Sequence, residues 1–474
     1  MKKHKNVDIE IALDILPQLL LLILTALDLA YSNASFALSL ISSTSSPSST
    51  PSSSPHSLPV PKALINPNDE FGCPAWRNFS WCSCYQVDDG LFIECPSTGL
   101  EQIKQALSLA SSPPIKSLTI YNLNKTIEIF PDRLFFNSSS IQHLQMSFTS
   151  LVNLSSEAFL GLENSLKALS LVNSKLSQIP QQAMSQLKYL QTLDLESNDI
   201  FEIESYSFHG LPLKSLNLQG NKIMSLLEYS FAGLENTLEE LVLISNKLER
   251  FPLSALRRLT KLQILKLQSN EISEIPDDGF TKFTVLKNLY LQSNKIDHLD
   301  ARSFITMPKL VTISLANNRL TLLLNDNGVF VHLVDLEALD LSSNNLRYVD
   351  LNNLISLRTL DLSNNHLHNI ELHNLPNLRE LFLSHNNIKK ITNETFINTS
   401  QITSLYLQHN AIHSLSSDAL HNMPLLSTLD LSYNQLTHID PSLFKFNDKL
   451  QSLYFDNNLL DNGLELGTFQ KLVC

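Results

Sequence analysis

From Ile115 onward the apolar residues follow one recurring pattern, L-x-x-L-x-L-x-x-N-x-L. Its first positions are Ile115, Ile141, Leu166, Leu190, Leu213, Leu238, Leu262, Leu286, Leu310, Leu336, Leu357, Leu378, Ile402, Leu426 and Leu450, fifteen units in steps of 23 to 26 residues with two of 21. The copy from Leu286 to Lys309 shows what the spacing dictates. Leu289 and Leu291 are two apart, so they point to one side of a short strand, and Tyr290 points to the other. Asn294 follows, where the chain must turn, and its amide can bond backbone groups that a buried turn leaves unpaired. Ile296, Leu299 and Phe304 then fill the interior and close the convex side. Twelve units carry this Asn, at 198, 221, 246, 270, 294, 318, 344, 365, 386, 410, 434 and 458, which predicts a hydrogen-bonded ladder.

One such unit cannot bury its own apolar residues, and stacking supplies the cover. Parallel strands roughly 4.8 Å apart then line one face, with bulkier connections opposite, so the stack curves. A helical heptad would space the leucines differently, and fifteen in-register copies exclude chance. The first three units lack the Asn, and Ser174 is a weaker substitute in the third. The short units from Leu336 and Leu357 predict tight convex connections, and Asn325–Gly328 predicts a small bulge in the unit from Leu310.

The remaining chain sets the compartment. Lys2, Lys3 and Lys5 precede an apolar run from Leu16 to Ala30, and small residues around Ser32–Ala37 fit a cleavage site. We read residues 1–37 as a cleaved signal peptide, with a signal anchor as the alternative. Residues 38–70 form a Ser/Pro-rich linker expected to be disordered, since 17 of the 20 residues in 42–61 are Ser, Thr or Pro. It reads as a plain spacer or an O-glycosylated one. Cys73, Cys82, Cys84 and Cys95 cluster in a small module over 71–114. Disulfides fit a secreted chain, in any of three pairings, and the Cys-x-Cys spacing argues against the rival zinc site. Sequons at Asn78, Asn124, Asn137, Asn153, Asn393 and Asn398 agree with secretion, and one at Asn33 would leave with the signal. Together these place the chain in the secreted space or on the extracellular side of the plasma membrane. They leave membrane attachment open.

The strand motif and a later Phe, at 208, 231, 280, 304, 396, 444 and 469, resemble the extracellular leucine-rich-repeat superfamily in its 24-residue form. CPAWRNFSWCSC followed by FIEC resembles that family's cysteine-rich N-terminal cap. The resemblance implies an α/β solenoid: a leucine-rich-repeat horseshoe with a parallel β-sheet on the concave face. It also implies the pairs Cys73–Cys84 and Cys82–Cys95. The repeats run from 115 to 474. The family's closing cap, with Asn-Pro-Trp and Cys-x-Cys, is absent, and Cys474 falls where a sixteenth unit would begin, so we expect an incomplete chain. Leu453, Phe455 and Phe469 would lie along an uncapped last coil and favour self-association.

The net charge of −12 argues against nucleic acid or an anionic membrane as the main partner. G-x-S-x-G, H-E-x-x-H and a glycine-rich phosphate loop are all missing from the sequence, so we expect no enzyme, no cofactor and no metal. The expected function is a non-catalytic extracellular module of receptor or adhesion type that binds a protein or peptide on the concave face. A structural matrix protein, or the ectodomain fragment of a membrane receptor, is the alternative. Outward concave positions read as small or polar, such as Ser215, Ser314 and Thr359. Toward the C-terminal half they change. Phe382, Tyr406, Asp430 and Tyr454 hold the central outward position of successive strands, and His385, His409 and Tyr433 follow three residues later. These seven form the candidate partner-binding patch. The two histidines would make it sensitive to pH near 6. The competing reading is that aromatics are simply good strand formers.

Overall fold

A computed structural model describes residues 81–460, apart from 88–89, 110–113, 139, 277–282 and 324–327. All of these lie in one unit of the chain, Asn66–Cys474. The expected signal peptide, linker and terminal Cys474 lie outside the described residues, as do Cys73, Asn78, Phe280, Phe469 and most of the expected bulge at 325–328.

Each of the fifteen units contributes one strand, from β3 (Ile115–Tyr121) to Ser452–Tyr454. They stack in parallel and in register, so that Leu241, Leu265, Leu289, Ile313, Leu339, Leu360, Leu381, Leu405 and Leu429 form one row. Every member of that row is fully buried. The cap extends the same sheet: β1 (Ser83–Val87) pairs antiparallel with β2 (Gly90–Pro96), and β2 pairs parallel with β3. Among the described residues the sheet has 17 strands. Cys82 is bonded to Cys95 beneath it, and both are buried. Cys84 is also disulfide-bonded.

The asparagine ladder forms as the spacing requires. Asn294 Nδ2 donates to the carbonyls of Leu267 at 3.0 Å and Leu291 at 2.9 Å, while its Oδ1 accepts from the Ile272 amide at 3.0 Å. Each amide thus ties its own turn to the preceding unit, and the pattern holds from Asn198 to Asn458. In the units without Asn, Ser174 is paired with Thr149, hydroxyl to hydroxyl at 2.7 Å, and Thr149 accepts from the Leu151 amide. The residue before each ladder Asn has positive φ, as in Ser269, Ser293, Asn317, Ser343 and Asn364. That left-handed turn aims the next side chain inward, and small or amide side chains tolerate it best.

The helical component expected of an α/β solenoid is minimal. Among the described residues the helices are α1 (Leu100–Leu109), in the cap, and two of four residues, Gln181–Met184 and Leu253–Leu256, and the rest of the convex side is built from turns and pairs of two-residue strands. Ile296, Leu299, Phe304 and Met307 return to the core from this non-helical segment. A spine of buried phenylalanines lies there instead, with Phe208 stacked on Phe231 and Phe304 on Phe330. At the described C-terminal end, Leu453 and Phe455 are half-buried and packed on the core.

Candidate functional site

The register of the sheet fixes which outward side chains are neighbours. One row reads Ser314, Asp340, Asp361, Phe382, Tyr406, Asp430, Tyr454. Phe382 and Tyr406 are half-buried and stack at 4.8 Å with their planes 2° apart. Asp430 follows, its Oδ1 accepting from the Ser432 amide at 2.9 Å and hydroxyl at 2.6 Å. Tyr454 is 51% exposed and lies beyond Asp430, outside the stack. Burial, then the Glu380 carboxylate, raises the Tyr406 phenol above its ordinary pKa, so it stays protonated at neutral pH.

A second row lies three residues on. The rings of His385 and His409 stack at 4.3 Å, and those of His409 and Tyr433 at 4.3 Å. All three residues are exposed. They occupy the left-handed position before the ladder Asn, with φ of 54°, 56° and 53°. The four preceding units place Ser or Asn there. A bulky side chain in this conformation costs roughly 1–2 kcal/mol relative to glycine-like backbone freedom. Three consecutive units therefore carry strained, exposed, mutually stacked rings.

Ser314 and Thr359, read as small or polar outward positions, are covered. Ser314 is 0% and Thr359 6% exposed, and only Ser215 retains partial exposure. These short side chains do point to the sheet's outer face, but taller neighbours cover them. Ser314 Oγ donates to Asp340 Oδ2 at 2.8 Å.

Asp340 and Asp361 were not singled out in the sequence, although the repeated Leu-Asp-Leu-Ser at 339–342 and 360–363 marks both. Asp340 is 7% exposed, and its Oδ1 accepts from the Ser342 amide and hydroxyl. Asp361 Oδ1 accepts from the Ser363 amide at 2.8 Å. Burial, and then the charge of Asp340, pushes the Asp361 carboxyl up to about 7, and burial also raises that of Asp340. Two carboxylates side by side in a poorly hydrated row resist ionising together.

Among the described residues no group of three or more His, Cys, Asp or Glu is arranged to hold a metal ion. No described helix is long and apolar enough to cross a membrane. Asn124, Asn137, Asn153, Asn393 and Asn398 are all exposed, and none lies in a strand of the large sheet.

The "Leucine rich repeat" family model matches residues 164–223, 212–272, 236–296, 260–320, 284–346, 376–436 and 424–474. A two-copy form, "Leucine Rich repeats", matches 355–396. The leucine-rich repeat-containing protein 3B of Danio rerio is 28% identical over 116 residues, 24% of this chain and 43% of that protein. The fold is similar to a chain of the Toll–Spatzle complex from Drosophila, with a TM-score of 0.67 at 19% identity, over 81% of this chain and 59% of that one. It is also similar to a Leptospira interrogans LRR protein, with a TM-score of 0.57 at 27% identity, over 68% of this chain and 86% of that one. The match thus spans less than two thirds of the zebrafish protein and of the Toll–Spatzle chain. With family matches over more than half of its length, and one strand and one ladder position per repeat, this chain belongs to the leucine-rich-repeat family.

Proposed function

We propose that this protein is a non-catalytic extracellular binding module of receptor or adhesion type. It takes a protein or peptide segment on the concave face, centred on Phe382, His385, Tyr406, His409, Asp430, Tyr433 and Tyr454. The observation that carries this reading is the pair of adjacent stacked rows. Half-buried Phe382 and Tyr406 lie beside exposed His385, His409 and Tyr433, the last three in a backbone conformation that disfavours bulky residues. Rigid aromatics beside hydrogen-bonding groups are what a binding hot spot uses. Strand propensity does not account for the second row, because its residues lie past the strand ends in the left-handed turn.

The extracellular placement is supported by the Cys82–Cys95 disulfide, a bond that persists in oxidising compartments, and by the exposed sequons. A protein partner is supported by the Toll–Spatzle structure, in which a chain of similar fold is part of a complex.

The test is the double substitution Phe382→Ala with Tyr406→Ala, measured against partners recovered by extracellular pull-down. Both side chains face away from the core, so thermal unfolding should shift little while affinity falls by tenfold or more. Undiminished affinity in a folded variant removes the patch from the reading.

A further inference from the structure

The charge of the two outward rows points to the chemistry of what docks there. Across the seven strands from Thr312–Ser314 to Ser452–Tyr454, the segments read TIS, ALD, TLD, ELF, SLY, TLD and SLY. Their outward positions, the first and third of each segment, hold Asp340, Asp361, Glu380 and Asp430 and no Lys or Arg. At the entrance to these strands Arg358 is turned to Glu337 at 3.2 Å, and the exposed Arg379 stands beside it one strand on. Carboxylates flank the aromatic stack. In register the order is Asp361, Phe382, Tyr406, Asp430, and Glu380 and Asp430 both act on the Tyr406 phenol. An aromatic pair with Asp430 on one side, Glu380 beside it and Asp361, whose carboxyl ionises only near pH 7, on the other gathers negative potential over the rings. A cation gains there from the ring faces and the acids together.

We infer that the partner segment presents an arginine or lysine side chain, which seats on Phe382 and Tyr406 between Asp361 and Asp430. This rests on the reading of the patch as a protein-docking surface. A planar guanidinium suits the site best, since it can lie on a ring while its edge donates to a carboxylate.

The probe is a library of random 12-residue peptides displayed on phage and selected against the full chain at neutral pH. The dominant peptide is then synthesised in two forms, as selected and with citrulline, the neutral isostere, in place of arginine or acetyl-lysine in place of lysine. Both are titrated against wild type, the double variant Asp361→Asn with Asp430→Asn, and Phe382→Ala with Tyr406→Ala. The expected result is peptides enriched in Arg and Lys, with affinity at least tenfold weaker for the neutral form, for the carboxamide variant and for the alanine variant. Circular dichroism checks that each variant is folded, and Asp430→Asn alone serves if the double variant is not. Peptides lost on the alanine variant but indifferent to citrulline and to the carboxamides would overturn the cation inference and leave the docking patch standing. Peptides that survive the alanine variant, or no enrichment at all, would overturn both.

Discussion

Replacing Asn294 by Ala probes whether the ladder holds the repeats together. The side chain is 8% exposed and makes its closest bonds to Leu267 O, Leu291 O and Ile272 N at 3.0, 2.9 and 3.0 Å. Alanine fills none of these roles, so the Ile272 amide loses its partner where water enters poorly, while the Leu267 and Leu291 carbonyls each lose one of two bonds and keep those from Asn270 and Asn318. One unpaired buried backbone group costs roughly 1–3 kcal/mol, and partial hydration of the vacated space keeps the total near 3 kcal/mol. Solenoid stability is a sum of near-neighbour terms, so the loss is felt first in the adjoining units. Hydrogen exchange reads it directly. The Ile272 amide, bonded to the Asn294 side chain, should exchange on the order of a hundredfold faster, as 1.4 kcal/mol corresponds to a factor of ten. Amides near Leu193 should change little. The control is Asn137→Ala, at an exposed turn position, with an effect within about 0.5 kcal/mol. Equal unfolding temperatures for the two variants, or an Ile272 amide that stays protected, would refute the reasoning.

Three further outcomes follow from the geometry. Asp361 has a folded-state pKa of about 7 against an ordinary value of 3.8, so the folded state holds its proton more tightly and stability falls as pH rises from about 4 to 7. Asp361→Asn should reduce that fall by on the order of 3 kcal/mol, seen by urea unfolding at pH 5 and 8. Asn fits this position in the equivalent Asn217, which accepts from the Gln219 amide. An unchanged pH dependence would contradict the paired-carboxylate account. Gly161 has φ of +101°, and an added Cβ would lie 2.4 Å from the Phe135 carbonyl oxygen, so Gly161→Ala should lower stability by about 2 kcal/mol or more in thermal unfolding. Cys95→Ser removes a fully buried staple of the cap and should cost roughly 2–5 kcal/mol. Limited proteolysis should then cut first within the cap hairpin while the repeats beyond Leu286 persist.

The sequence by itself determined the repeat, the register and the ladder. Each rests on a local rule applied again and again: alternation places leucines on one side of a strand, and in twelve units an amide four residues past the strand meets a turn in need of bonds. Because stacking is in register, the same rule identified Phe382 with Tyr406, and His385 with His409 and Tyr433, as neighbours before any coordinates. Only the tertiary structure decided how much of that surface is open. Ser314 and Thr359 point outward yet are covered, because exposure depends on the height of neighbours from other repeats, about 21 to 26 residues away in the chain. The raised pKa of Asp361 likewise comes from burial and the nearby Asp340, which no single repeat contains. The convex side is built mainly from turns and two-residue strands, although Ile296, Leu299, Phe304 and Met307 recur at a spacing that a helix could also bury. A pattern read along one chain leaves that choice open, and it is decided only when each repeat must pack its apolar residues against the next.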